Sequence, residues 1–224
     1  MSEAGPCLFY NRHRELRVVI HGDDFTILGK EDSLNWFKRK IENKFEIKLR
    51  GRMGDDKRDI KSIRVLNRPL TWINQGLEYE ADQRHAELII QEMGLTESCR
   101  SHETPRSKPD KAEIKEEKGF NDIQGSEATR YRALTARANF LAQDRGDIRF
   151  AVKELSRRLA KLRERDMITL KRFARYLALR PRLVMKYPKQ GPVKLAISRS
   201  DSDWAGCLET RKSTTGVHSC WDPM

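Results

Sequence analysis

The chain has 224 residues, enough for one or two domains with a core, but only 38% are hydrophobic and 35% are charged. Its 45 Lys and Arg against 33 Asp and Glu leave a formal charge of +12, which suits a polyanionic partner because each neutralised phosphate releases condensed counterions. No apolar run reaches membrane-spanning length and the N-terminus lacks a signal-peptide core, so composition excludes a spanning helix and predicts a soluble, intracellular protein of cytoplasm or nucleus.

In chain order, Cys7 to Tyr10 reads as a possible first strand. Val18 and Ile20, then Phe25 and Ile27, alternate on either side of Gly22-Asp23-Asp24, the pattern of two short strands around a tight turn. Leu34, Phe37, Ile41 and Phe45 recur at helical spacing, with Asp32 or Ser33 as the expected cap. A hairpin is predicted from Ile60 to Leu66 and Leu70 to Ile73 around Asn67-Arg68-Pro69, followed by a helix around Asp82 to Met93.

Residues 100–126 are rich in charge, Pro and Gly with almost nothing to bury, and read as a flexible charged linker. Three helical stripes follow: Tyr131, Leu134, Ala138, Leu141; then Ile148, Val152, Leu155, Leu159, Leu162; then Leu170, Phe173, Leu177, with Asp166 as a possible cap and Pro181 as the stop. Arg157, Arg158, Lys161, Lys171, Arg172 and Arg175 make this one of the densest basic regions of the chain and the expected phosphate-binding surface. Val193, Leu195 and Ile197 alternate as a strand that delivers Asp201 at its end. The four cysteines form no CxxC pair, which fits a reducing compartment, and His218 and Cys220 near Cys207 are too sparse to argue for zinc.

The adjacent carboxylates of Asp23 and Asp24 carry the sharpest chemical signal. Acids at a turn commonly bond the backbone or form surface ion pairs. Here they sit between apolar strands, and two carboxylates held together repel unless a cation compensates them. Hard oxygen ligands of this kind suit Mg²⁺ (or Mn²⁺) alongside phosphates, the ingredients of phosphoryl transfer at a metal site.

Four blocks, in order, extend this reading across nearly the whole chain. "VVIHGDDFTILG" is similar to a polymerase palm strand-turn-strand, usually written Tyr-x-Asp-Asp. "ATRYRALTARANFLAQDRGDIRFAVKELSRRLA" and "LKRFARYLALRPRLVMKY" follow, and then "SDSDWAGCLETRKSTTG". Together they resemble the Pol polyprotein of Ty1/copia-type retrotransposons, from the reverse-transcriptase palm into the start of RNase H. His21 stands where that family usually carries Tyr, and "DRGDI" replaces its Arg-Pro-Asp-Ile.

The resemblance implies an α+β fold with four parts. These are a partial palm and thumb over 1–99, the linker 100–126, a helical connection over 127–190, and a truncated RNase H-like start over 191–224. It makes Asp23 and Asp24 palm metal ligands, with Asp23 the better direct ligand, and Asp201 the first carboxylate of a second nuclease site. The 60–73 hairpin becomes the primer-holding region. The implied activity is RNA-directed DNA polymerization, and the implied partners are an RNA template with a DNA primer or an RNA–DNA hybrid, and the upstream part of Pol. A two-metal site needs a further palm carboxylate. Glu3 and Glu15 are the acids ahead of Asp23, and neither sits in a matching motif, so the expectation is a fragment inactive by itself. The alternative is a non-catalytic basic nucleic-acid-binding protein.

Overall fold

A computed structural model of the chain describes residues 5–96, 101–106, 120–191, 195–207 and 210–222. It is a mixed α/β protein with three antiparallel sheets and five α-helices among the described residues. The chain divides into two compact units, Met1–Gly51 and Arg52–Met224. No helix among the described residues is long and apolar enough to cross a membrane.

In the first unit, β1 (Leu8–Asn11), β2 (Leu16–His21) and β3 (Asp24–Leu28) form one sheet in that order. Strand β2 shows the period of two expected from its sequence: Leu16 and Val18 are buried while Arg17 and Val19 are exposed. Helix α1 spans Glu31–Glu42, so the predicted stripe overruns the helix and leaves Phe45 63% exposed. Ser33 does not cap it. The helix begins at Glu31 with no side-chain cap, and the buried Ser33 hydroxyl instead donates to the Arg14 carbonyl at 2.8 Å. Glu31 and Asp32 in the first turn complement the helix dipole.

The second unit contains a sheet of order β4-β5-β6-β7, built from Ser62–Val65, Arg68–Ile73, Gly76–Glu80 and Val184–Pro188. The predicted hairpin is present, but its turn is Leu66-Asn67 rather than Asn67-Arg68-Pro69. Both turn residues have positive φ (49° and 64°), the pattern of a two-residue type I′ connection, and Arg68 and Pro69 belong to β5. Strand β6, in which Leu77-Glu78-Tyr79-Glu80 alternates apolar and acidic residues, is not among the elements predicted from the sequence. It pairs with β7, which arrives after all the helices. Gly76 makes that approach possible: at φ 148°, a Cβ there would lie 2.0 Å from the Tyr187 carbonyl oxygen.

The core is helical. Helices α2 (Arg84–Glu92), α3 (Gly125–Ala142), α4 (Arg149–Ser156) and α5 (Glu164–Leu179) bury Ile89, Tyr131, Leu134, Val152, Leu155 and Phe173 against one another. A 3₁₀ turn, Gly146–Ile148, leads into α4. The single stripe read from Ile148 to Leu162 is not one helix. It ends at Ser156, and turn bonds from Arg158 to Leu155, Leu159 to Ser156 and Lys161 to Arg158 carry Leu162 back into the core. At the start of α5, the Asp166 carboxylate accepts the Arg163 backbone N–H at 2.9 Å, and the Arg163 backbone carbonyl accepts the Asp166 N–H at 2.8 Å. The helix stops two residues before Pro181. Residues 101–106 are fastened to these helices, Thr104 to Arg172 and Arg106 to Glu154. Strands β8 (Leu195–Ser202) and β9 (Thr215–Asp222) form a separate hairpin.

Arg145 is 1% exposed. Its guanidinium donates to both Asp147 carboxylate oxygens, at 3.2 and 2.6 Å, and to the carbonyls of Arg180 and Pro181 at 2.8 and 3.1 Å. The Tyr176 hydroxyl donates to the same Asp147 at 2.7 Å. Burial alone would raise the Asp147 pKa, but Arg145 and Tyr176 outweigh it and hold the carboxyl below its ordinary value. Removing one member of such a pair strands the other. Arg145→Ala is expected to cost about 3–5 kcal/mol, read as a lower urea midpoint with unchanged m-value.

Candidate metal-binding turn and basic face

The Asp-Asp turn follows from local geometry. His21 pairs with Asp24, leaving Gly22 and Asp23 as a two-residue connection. Gly22 has φ 60°, and positive φ at only the first central residue is the type II′ pattern that favours Gly there. Asp23 therefore stands exposed at the tip, and Asp24 opens β3 half-buried. Asp24 is already engaged: its carboxylate lies 3.0 Å from the Arg50 guanidinium, in a pair that is largely exposed.

The exposed carboxylate of Asp23 and the half-buried one of Asp24, at and beside a sheet-held turn, are a fitting partial ligand set for Mg²⁺ or Mn²⁺. No group of three or more His, Cys, Asp or Glu side chains suited to a metal occurs among the described residues. Glu15 is committed elsewhere, to Lys30 at 2.6 Å, and that contact lowers its pKa.

Asp201 lies in the second unit, exposed on β8 opposite Gly216, where its carboxylate accepts the Ser202 N–H at 2.8 Å. Asp203 accepts the Thr214 N–H at 2.5 Å and holds the start of the β8–β9 connection, a supporting role. Trp204 beside it is 90% exposed.

The six basic residues singled out from the sequence divide by how they are held. Lys161 and Lys171 are exposed. Arg157 donates to Glu154 at 3.2 Å and to the Cys207 sulfur at 2.8 Å. Arg158 comes within 4.0 Å of Asp166, and Arg172 donates to Thr104 at 3.1 Å. The Nε atoms of Arg172 and Arg175 are buried without a hydrogen-bond partner. Lys171, Arg172 and Arg175 share one side of α5 by their spacing.

Sequence reasoning missed the carboxylates that organise these cations. Glu154 pairs with Arg106, Lys153 and Arg157. Burial works to raise its pKa, but the hydrogen bond and charge of Arg106, with Arg157 and Lys153, hold it at about 2. Asp144 likewise accepts from Arg68 at 2.7 Å and from the Tyr79 hydroxyl at 2.6 Å. Lys153 and Arg157 are sequence neighbours of Glu154, but Arg106 is far from it in the chain, as Arg68 and Tyr79 are from Asp144, and those distant partners carry no local signal.

No family model matches the chain, and no solved structure matches it. It is 24% identical over 200 residues to the uncharacterized mitochondrial protein AtMg00810 of Arabidopsis thaliana, covering 89% of this chain and 76% of that protein. It is 35% identical over 97 residues to the retrovirus-related Pol polyprotein from transposon RE1 of Arabidopsis thaliana. That match spans 43% of this chain and 6% of the polyprotein. These similarities, at low identity, support a retrotransposon Pol origin.

Arg50 competes with any cation for Asp24. Arg50→Ala is expected to tighten Mg²⁺ binding about two- to fivefold in calorimetry, the range of an exposed ion pair; unchanged affinity would mean that the cation does not use Asp24. Glu154 sets an acid limb of stability. Its folded pKa of about 2 lies below the ordinary 4.5, so its contribution is present above 4.5 and is lost as pH falls through about 2. Urea midpoints across that window should fall less steeply for Glu154→Gln, which should also be less stable at neutral pH.

Proposed function

We propose that the chain is a fragment of a retrotransposon reverse transcriptase that grips primer–template nucleic acid and lacks polymerase activity alone. One observation carries the reading: an Asp-Asp pair at the end of a two-residue turn between antiparallel strands, Asp23 in the turn and Asp24 opening β3, in a chain similar to a transposon Pol polyprotein. On this reading the first unit is part of a palm, and the sheet and helices that follow are thumb and connection. The β8–β9 hairpin is then the opening of an RNase H-like domain, with Asp201 its first metal ligand.

Asp23 and Asp24 would hold Mg²⁺ (or Mn²⁺), which supplies Lewis-acid stabilisation of phosphate oxygens during nucleotide transfer. Until a cation arrives, Arg50 neutralises Asp24 and limits the repulsion between the neighbouring acids. Without a third described ligand the pair binds the ion weakly and positions nothing for in-line attack. The RNA template and DNA primer, or their hybrid, would lie on the basic residues of α4 and α5, held through phosphates. The upstream part of Pol is the partner that would complete the site, in the cytoplasm or nucleus.

A second reading is a non-catalytic nucleic-acid-binding protein, favoured by the exposed Lys161 and Lys171 beside the arginines of α5. The Asp23→Asn/Asp24→Asn variant separates the two: it removes the Mg²⁺ dependence of nucleic-acid binding under the first reading and leaves affinity unchanged or slightly tighter under the second. Primer extension on an RNA template with Mg²⁺ tests the expected inactivity. The fragment is expected to incorporate no more nucleotide than an Asp23→Asn/Asp24→Asn variant, and incorporation abolished by that variant would overturn its inactivity. For binding, Lys171→Ala should weaken affinity uniformly across sequences and reduce the log–log salt slope by about 1. An unchanged slope would remove α5 from the interface.

A further inference from the structure

The four-stranded sheet sorts its side chains by chemistry. Directly opposed residues in antiparallel strands share a face, and alternate residues return to it. The register of β4 to β7 therefore gathers Leu70, Trp72, Leu77, Tyr79, Met185 and Tyr187 on one face. Glu78 and Glu80, the carboxylates that these strands carry, fall on the other.

No residue of these strands belongs to the buried core cluster, and Tyr187 is 53% exposed. Tyr79 and Tyr187 meet edge to face with centroids 6.5 Å apart. The aromatic rings are held in place. Asp55 accepts the Trp72 indole N–H at 2.7 Å, and Asp144 accepts the Tyr79 hydroxyl at 2.6 Å.

Cations frame this surface. Lys189 lies 5.4 Å from the Trp72 ring and also bonds Asp55 at 2.5 Å. Lys61, whose carbonyl accepts the Trp72 backbone N–H, holds its ammonium on the carbonyls of Gly54 and Asp56. Arg68 lies at the far corner against Asp144. Rigid aromatic rings, flanking cations and strand carboxylates confined to the opposite face are what base stacking beside a phosphate backbone requires.

We propose that this face is a stacking platform for the unpaired bases of a single-stranded nucleic acid. Tyr187 and Trp72 supply the rings, and Lys61 and Lys189 meet the phosphates. The proposal rests on the nucleic-acid-binding reading above and adds the class of strand recognised.

The test compares two labelled oligonucleotides of equal length, one bearing bases and one wholly abasic, by fluorescence anisotropy with the full chain. The base-bearing strand is expected to bind about tenfold tighter, the effect of stacking one base. Tyr187→Thr, which removes the ring but places another residue of high strand propensity there, should remove most of that difference without changing abasic binding. Tyr187→Phe should retain it. Equal affinity for the two oligonucleotides would overturn the platform while leaving phosphate binding intact, and would assign the face to a protein partner. A Tyr187→Thr loss that is the same for both strands would reduce the residue to a structural role and also overturn the proposal. Binding to neither strand at low salt would defeat the nucleic-acid reading together with the platform.

Discussion

The buried guanidinium of Arg145 is the fixed point of the second unit. A charge in that position is tolerable only if every hydrogen-bonding group around it is matched. Arg145 meets that condition by reaching the carboxylate of Asp147 and the two carbonyls that follow α5. One side chain thereby joins the exit of α3, the 3₁₀ turn and the departure from α5. The direction in which the chain leaves α5 decides whether β7 can reach β6. The next arginine along, Arg182, then fastens to Glu80 by two 2.8 Å bonds.

This use of ion pairs follows from a thin apolar supply. The buried hydrophobic residues of the second unit are almost all helical, while the strands of its sheet contribute none to the core cluster. The sheet is instead joined to the helices by Arg68 and Tyr79 meeting Asp144, and by Arg182 meeting Glu80. Burial and the Asp144 carboxylate push the Tyr79 hydroxyl up to about 12, so it remains a donor throughout the neutral range. Exposed ion pairs stabilise little individually. These joints are partly buried and several-fold, which lets them set orientation where packing does not.

That division explains what could be read from the sequence. Tyr131, Leu134, Ala138 and Leu141, and likewise Leu170, Phe173 and Leu177, are buried as their helical spacing predicts. The Asp-Asp turn was legible because Gly22 interrupts a clean alternation. Strand β6 was not assigned although Leu77 to Glu80 alternates, because the run is short and its glutamates are residues depleted in strands. The overrun past Ser156 has a different origin: Leu162 is buried, but through turns rather than through a helix face. At the candidate site, Arg50 beside Asp24 was invisible for the same reason as Asp144 beside Arg68. Pairing between distant charges leaves no local pattern.

The formal charge of +12 overstates the capacity for phosphate. Arg145, Arg106 and Arg68 are bound to carboxylates in sites where their own exposure is low. A polyanion can displace such a carboxylate only by leaving it partly buried and unpaired, which is costly. Cations at exposed positions carry no such penalty, and Lys161 and Lys171 are of this kind. Affinity should therefore depend on a few exposed lysines and on whatever stacking accompanies them, rather than on the number of arginines. The density of basic residues along α4 and α5 is, to a large extent, the density of the internal pairs that hold those helices in place.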